Sequence, residues 1–459
     1  MKRNSLAIIL IIAVAILGGG VYILLKDTNG PVISLSPGSG KVSPKSNFVL
    51  RAEDPSGLRE IIVRTVQGEV RSQVYVEKNF NATSAEINFP LGENTSLRDG
   101  AFELEVLCRD ASFAGFGQGN PTTQQYNFVF DTQPPKVSIL SPKNYLRRGG
   151  AGCLIYSISK NVMKNGVAVG DRFFPGYKIL GDEYVCFFAF PYDVEYSDYS
   201  PTLVVEDYAG NQIIRRFSYM RIDRKFKEDT LNLPQSFLEE KSAEFHSVFP
   251  EQMSALDRYL KVNRELRDQN ARTLVELGRK TADSALWQGA FMRMPESAPK
   301  AGFGDRRAYK YEGAVVDHQI HLGADLASLE NSNIPAANSG RVIFAGDLGI
   351  YGQTVVIDHG LGVQSLYSHM SHIEVSPGQD VARGQVLGQT GMTGLAGGDH
   401  LHFGILIAGL PVSPIEWWDA HWIQDNIQDR MPMAAWPRSQ LPQEQEGQSG
   451  ALNSTDLTE

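Results

Sequence analysis

The sequence predicts a mainly β chain of several domains, on three observations. Its 459 residues correspond to about three domains of roughly 150 residues each. From about Pro31 to Asp223, short apolar runs recur between turn residues at the spacing of stacked strands. Eight of the nine histidines then crowd between His318 and His421, among glycine-rich, strand-like stretches. A composition of 42% hydrophobic and 21% charged residues excludes collagen-like, wholly disordered and polytopic membrane classes. The net charge of −9 speaks against nucleic acid as a partner, since such proteins carry a basic face. Three cysteines, Cys108, Cys153 and Cys186, are too few for a disulfide framework or a four-cysteine zinc site.

The elements follow in chain order. Lys2 and Arg3 precede the uncharged run Leu6 to Leu25. Twenty helical residues at about 1.5 Å each span the hydrocarbon thickness of a bilayer. A cleaved signal peptide has a shorter apolar core and a small-x-small site, whereas here Gly18–Gly20 lead into more apolar residues. The expectation is a single-pass signal anchor at 6–25, with 1–5 cytoplasmic and the remaining chain outside the cytoplasm; a cleaved signal is the alternative.

In Ala101–Asp110, the residues Phe102, Leu104, Val106 and Cys108 alternate with Glu103, Glu105 and Leu107, a period of two with one face in a core. Val32–Pro37 (VISLSP) returns as Val137–Pro142 (VSILSP), and Val106–Asp110 (VLCRD) is echoed by Val204–Asp207 (VVED). A repeat of roughly 100 residues built from strands predicts two tandem immunoglobulin-like sandwiches, at 31–131 and 134–225. They read as spacers or binding modules. Cys108 falls on the buried phase of its strand. Cys153 and Cys186 share one predicted sandwich and either pair or stay as thiols.

From Pro234 the pattern turns helical. Ser236 with Glu239 three residues later is a capping-box signal, and Phe237, Phe245 and Val248 share one face. Beyond Pro250, Met253, Leu256, Leu260, Leu274 and Leu277 support a longer helix, with Arg264, Glu265, Arg267, Asp268 and Arg272 as its solvated face. The segment 234–286 reads as a helical linker, with a partner-docking or groove-covering element as the alternative.

The chemistry lies in 287–425. His321 and Asp325 stand four apart around Gly323, which favours extended backbone, and both side chains can reach one ion. His400 and His402 stand two apart before an apolar run, so on a strand both imidazoles face the same way. Imidazole, carboxylate and imidazole suit zinc and leave a fourth position open. Of the others, His318 lacks an aspartate four residues on. His359 reads as a structural hydrogen-bonding residue, and His372, His246 and His421 as exposed or packing residues.

Residues from about Trp287 to Trp422 resemble the LytM/lysostaphin-type zinc endopeptidases of bacterial cell walls. The matching stretches are FGDRR from Phe303, HLGADLA from His321, PAANSGRVIFAG from Pro335, YGQTVVIDHG from Tyr351, LYSH from Leu366, VARGQVLGQTGMTG from Val381 and HLHFG from His400. The resemblance implies a compact, mostly antiparallel β-sheet domain of duplicated-hybrid-motif type with a narrow groove. It implies one Zn2+ held by His321, Asp325 and His402, with His369 and His400 as catalytic residues that are not ligands. It implies peptidoglycan peptides as substrate and, with the anchor, an inner-membrane protein whose bulk is periplasmic. Relatives that lose ligands act only as activators of other wall hydrolases; here all five positions are filled. No HExxH motif supplies a glutamate base, so His369 and His400 divide the base and intermediate-stabilising roles. Arg307 reads as a surface salt bridge, with a substrate carboxylate as the alternative. Trp417, Trp418 and Trp422 read as a core brace, with sugar stacking as the alternative. The tail 439–459 is poor in apolar residues and is expected to be disordered. A protein partner is expected to meet the sandwiches or the helical segment.

Overall fold

The computed structural model describes residues 11–19, 27–80, 82–92 and 96–436. Of the expected membrane segment only residues 11–19 fall among these, and they are helical and exposed. No helix among the described residues is long and apolar enough to cross a membrane. The tail 439–459 lies outside the described residues.

The chain divides into two compact units, Met1–Ile139 with Ser157–Phe173 and Ser200–Phe217, and Leu140–Tyr156 with Phe174–Tyr199 and Ser218–Glu459. Strands of the region 134–225 thus occur in both.

In the first unit, alternation along the strands builds two sheets. Val32–Ser36, Asn47–Glu53 and Ser84–Pro90 make one antiparallel sheet. The other runs in the order Gly40–Val42, Pro121–Phe130, Gly100–Asp110, Leu58–Gln67, Val70–Lys78. Phe102, Leu104, Val106 and Cys108 are all buried, as their period requires, and join Phe48, Leu50, Phe89 and Phe128 in one core. Phe48 stacks on Phe89 and meets Phe128 edge-on, with ring centroids 5.4 and 5.3 Å apart. The unit also holds the antiparallel set Val162–Val169, Thr202–Asp207 and Gln212–Arg215.

The second unit is built round a sheet in the order Ala298–Ala301, Ala324–Ala327, Leu401–Ile407, Val363–Met370, Gln353–Asp358, Gly340–Asp347, Asp380–Val381, with Leu410–Val412 against Leu401–Ile407. Every pairing within it is antiparallel. All residues of the two central strands, Val363–Met370 and Leu401–Ile407, are buried, so both faces of the sheet are covered. Beside it, Glu228–Asn232 runs parallel to Arg306–Tyr311, which pairs with Ala314–Ile320.

One cover is helical. Gln235–Glu244 starts directly after Pro234 with no side-chain cap, so the Ser236–Glu239 capping box is not formed. Gln235 Nε2 instead donates to Glu239 Oε1 at 2.8 Å. The next helix, Ala255–Lys261, is capped by Ser254, whose hydroxyl accepts from Asp257 N at 3.1 Å. It continues through a π-turn, Val262–Leu266, into Arg267–Gly278. Phe245, Val262, Leu266, Leu274 and Leu277 bury against Leu348, Ile350, Val356, Leu366 and Leu406 of the sheet domain. Gly278 is where the helix ends against backbone, since a Cβ there would lie 2.4 Å from the Ala408 carbonyl carbon. On the expected solvated face, Arg264, Glu265, Asp268 and Arg272 are exposed. Arg267 is the exception, because its guanidinium is drawn in to Asn263 Oδ1 at 2.6 Å.

The cysteines are buried. Cys153 and Cys186 are thiols rather than a disulfide, and Cys186 Sγ donates to the Phe174 carbonyl at 3.2 Å. Trp417 is fully buried among Phe187, Trp287 and Phe291, and Trp418 stacks on Phe403 at 5.5 Å. These two tryptophans, with Trp422 against Trp417, brace the sheet as core.

Candidate metal centre

Sheet register assembles the site. Asp325 and His402 are directly opposite partners on adjacent strands, so their side chains leave the sheet on the same face. His321 enters from the turn that follows Ala314–Ile320. Its Nε2 lies 2.9 Å from Asp325 Oδ1 and 3.0 Å from His402 Nδ1, and the latter lies 2.9 Å from Asp325 Oδ1. Between His321 and Asp325, Gly323 makes room, because a Cβ there would stand 2.5 Å from the His402 ring.

His369 reaches the same place by a local irregularity. Ser368 is the direct partner of His402, so in a regular strand its neighbour His369 would point to the opposite face. The pairing to Gln353–Asp358 slips at this point, and His369 takes φ +62°. The bulge turns its imidazole back towards His400 and His402, at centroid distances of 4.9 and 5.8 Å. Bulges redirect side chains in this way, at about 1 kcal/mol or more of backbone strain for a residue other than glycine. His400 stands two residues before His402, and its Nε2 is 3.5 Å from Asp325 Oδ1.

Hydrogen bonds fix the ring states. His321 Nδ1 lies 2.8 Å from the Gly302 carbonyl, a contact that requires the proton on Nδ1 and leaves a lone pair on Nε2. That lone pair faces the Asp325 carboxylate and His402 Nδ1. The three atoms meet at about 3 Å with the His402 Nε2 left without a partner, and all lie within 4.8 Å of one another, a spacing that one cation could bridge. Two imidazoles and a carboxylate are a donor set suited to zinc. His369 Nδ1 and His400 Nδ1 likewise donate to the carbonyls of Thr393 and Gly398, at 2.8 and 2.7 Å.

Burial and charge set the protonation. Burial pushes the Asp325 carboxyl up, but the imidazoles of His321, His400 and His402 outweigh it and hold it well below the carboxylate range. Burial pushes His369 well below the usual imidazole value, helped by His402 and His400. Burial also takes His402 down to about 4. For His400 burial is overcome by Asp325, and the ring is raised.

All five predicted site residues line one cavity of about 400 Å³. Sequence reasoning underrated Arg307. It is a half-buried ion pair rather than a surface one: its guanidinium donates to Asp325 Oδ2 at 3.1 Å, orienting the carboxylate, and it lines the same cavity. The carbonyls of Gly302, Thr393 and Gly398 were beyond reach of sequence, since any residue carries a carbonyl. The cavity is also lined by Phe237, Tyr259, Asn263 and Arg267 from the helical segment. Of the remaining histidines, His318, His372, His246 and His421 are exposed. His359 is buried, with Nδ1 2.7 Å from the Ser339 carbonyl and Nε2 2.7 Å from Ser365 Oγ.

Residues 319–414, which include all five, match the profile of Peptidase family M23. This segment is similar to M23 peptidases. Over 107 residues the chain is 38% identical to the DD-carboxypeptidase/endopeptidase Mpg of Neisseria meningitidis, covering 23% of this chain and 25% of that protein. It is 33% identical over 132 residues to the peptidoglycan DD-endopeptidase ShyA of Vibrio cholerae, covering 28% and 30%. It is 37% identical over 95 residues to the murein hydrolase activator EnvC of Escherichia coli, covering 21% and 23%. The match thus spans a quarter to three tenths of the length of the first two relatives. Among solved structures, a peptidase M23 from Pseudomonas aeruginosa is similar with a TM-score of 0.38 at 22% identity, covering 59% of this chain and 94% of that one.

Proposed function

We propose that the chain is a zinc metallo-endopeptidase that hydrolyses peptide bonds in peptidoglycan stem peptides or cross-links. It would act from the outer face of the inner membrane, held there by residues 6–25. The observation that carries the reading is the meeting of His321, Asp325, His402, His369 and His400 in one cavity of an M23 domain. His321, Asp325 and His402 hold the zinc, which when bound supplies an acidified water and a Lewis acid for the scissile carbonyl. Arg307 and the Gly302 carbonyl fix the orientation of two of these ligands. His369 and His400 each keep the Nδ1 proton on a backbone carbonyl, which leaves Nε2 available to take a proton from water or pass one to the leaving amine.

The test is release of muropeptides from purified peptidoglycan by the full chain, read by mass spectrometry, beside a chelated sample and His402→Ala. Loss of cross-linked dimers in the untreated sample alone supports the reading. Intact dimers with a folded, zinc-loaded protein would refute it as an unaided enzyme.

A second reading, a restrained enzyme or an activator of other wall hydrolases, is favoured by the helical lining. Phe237 and Tyr259 stand in the same cavity as the metal-holding set. Phe237→Ala with Tyr259→Ala should then raise the hydrolysis rate severalfold in a folded protein. An unchanged rate would remove this reading.

A further inference from the structure

The two β-rich repeats close on the same set of hydrogen bonds, across ten residues in the first and four in the second. In the first, Asp110 Oδ1 accepts from the backbone of Ser112 at 3.1 Å and of Asn120 at 2.7 Å. Asn120 Nδ2 bridges Asp110 Oδ2 at 2.8 Å and the carbonyl of Asp27 at 3.1 Å. In the second, Asp207 Oδ1 accepts from the backbone of Ala209 and Asn211, both at 2.9 Å. Asn211 Nδ2 bridges Asp207 Oδ2 at 3.1 Å and the carbonyl of Asp131 at 2.8 Å. Asp27 therefore corresponds to Asp131, Asp110 to Asp207 and Asn120 to Asn211.

The repeats differ in what faces these two carboxylates. In the second it is a cation: Lys160 Nζ lies 2.5 Å from Asp207 Oδ2 and 2.9 Å from Asp131 Oδ2. In the first it is a third acid, Asp54, 5% exposed. Asp27, Asp54 and Asp110 bring a carboxylate oxygen each within 4.8 Å of one another. Asp110 has no exposure at all, and no lysine or arginine among the described residues forms an ion pair with any of the three. Like charges gathered with two of the three buried need a counter-charge, and the second repeat shows this site taking one.

We propose that Asp27, Asp54 and Asp110 bind a divalent cation of the calcium type, which fills in the first repeat the place that the Lys160 ammonium fills in the second. The donors are all oxygen, the preference of a hard cation. Oxygens on opposite sides of an ion at about 2.4 Å each are about 4.8 Å apart, and the three carboxylate oxygens lie within that span of one another. The Ser56 hydroxyl lies against Asp27 Oδ2 and that of Ser112 lies 2.7 Å from Asp110 Oδ1, so further oxygens adjoin the site. The crowding is felt by Asp54, whose carboxyl is pushed up by burial, with Asp110 and Asp27 adding to the effect.

The experiment uses the full chain with its zinc kept saturated, titrated with Ca2+ and followed by calorimetry and thermal melting. The wild type should bind one Ca2+ and melt several degrees higher when loaded. Asp54→Asn and Asp27→Asn should lose the binding and the shift. Asp54→Lys transplants the second repeat's solution, and should melt without Ca2+ at or above the loaded wild type and ignore Ca2+. Absence of Ca2+ binding by the folded wild type would overturn the proposal. So would undiminished binding in folded Asp54→Lys, which would place the ion on an acidic surface elsewhere. If Asp54→Asn does not fold, Asp27→Asn and Asp54→Lys decide the matter.

Discussion

Gly323→Ala is the sharpest probe of how the proposed metal ligands His321, Asp325 and His402 are kept in place. Gly323 is not among the residues with positive φ, so alanine meets no backbone strain there and the effect is purely one of space. Its Cβ would lie 2.5 Å from both Cε1 and Nε2 of His402 and 2.7 Å from the Phe403 carbonyl. Carbon contacts settle near 3.5 Å, so the imidazole must retreat by about 1 Å. The ring is rigid, and Nδ1, the atom facing Asp325 and His321, moves with it. A misplacement of about 1 Å in a catalytic array costs about 100-fold in rate, equivalent to about 2.7 kcal/mol of transition-state stabilisation. The assay is zinc content per chain after dialysis against a weak chelator, with initial rates of muropeptide release and a melting curve to confirm folding. Full zinc content with a rate within about twofold of wild type would refute the argument that the His402 position depends on the missing side chain.

Three further outcomes are expected. Arg307→Ala, which frees Asp325 Oδ2 from its 3.1 Å partner, should weaken zinc affinity about 10- to 100-fold; competition with a chelator measures it, and unchanged affinity contradicts the orienting role. Burial lowers His359 from 6.5 to about 4, so the unfolded chain takes up the proton first. That stabilisation is complete above pH 6.5 and is lost as pH falls through 4, by up to about 3 kcal/mol; denaturant titrations at several pH values should show a shallower acid slope for His359→Gln. Burial raises Glu416 from 4.5 to about 7, so the native state keeps a proton that the unfolded chain has lost. Stability therefore falls as pH rises from 4.5 to 7, by up to about 3 kcal/mol, and Glu416→Gln should melt with less dependence on pH across that window; an identical slope would count against it.

Much of this architecture was legible because its signals are periodic. The alternation through Phe102 to Cys108 is buried on one side as read, and the two-residue spacing of His400 and His402 does place both rings at one cavity. The presence of Gly323 correctly argued against helix between His321 and Asp325, where a bend leads into the strand that starts at Ala324. What could not be read depends on register and on backbone. His369 has the wrong parity for a regular strand opposite His402, and only the bulge brings it to the site; a bulge leaves no mark in the local sequence other than glycine, which is absent here. Arg307 was placed at the surface because its partner, Asp325, lies on a strand of a different sheet, a contact that local spacing does not specify. The cap of Gln235–Glu244 was misplaced because Pro234, with φ already near the helical value, starts the helix before Ser236 can act.

The proposed metal ligands bear on the chain as a polymer. His321 and His402 are separated by 81 positions, and between them run the strands Gly340–Asp347, Gln353–Asp358 and Val363–Met370 of the central sheet. An ion gripping both ends of that stretch is a cross-link closing a long loop, and it penalises the unfolded ensemble by loop-closure entropy much as a disulfide would. The domain contains no disulfide of its own, since Cys108, Cys153 and Cys186 all precede it. Loading with metal would therefore act as the domain's covalent-like staple, and its removal would release the stretch 322–401 from that closure.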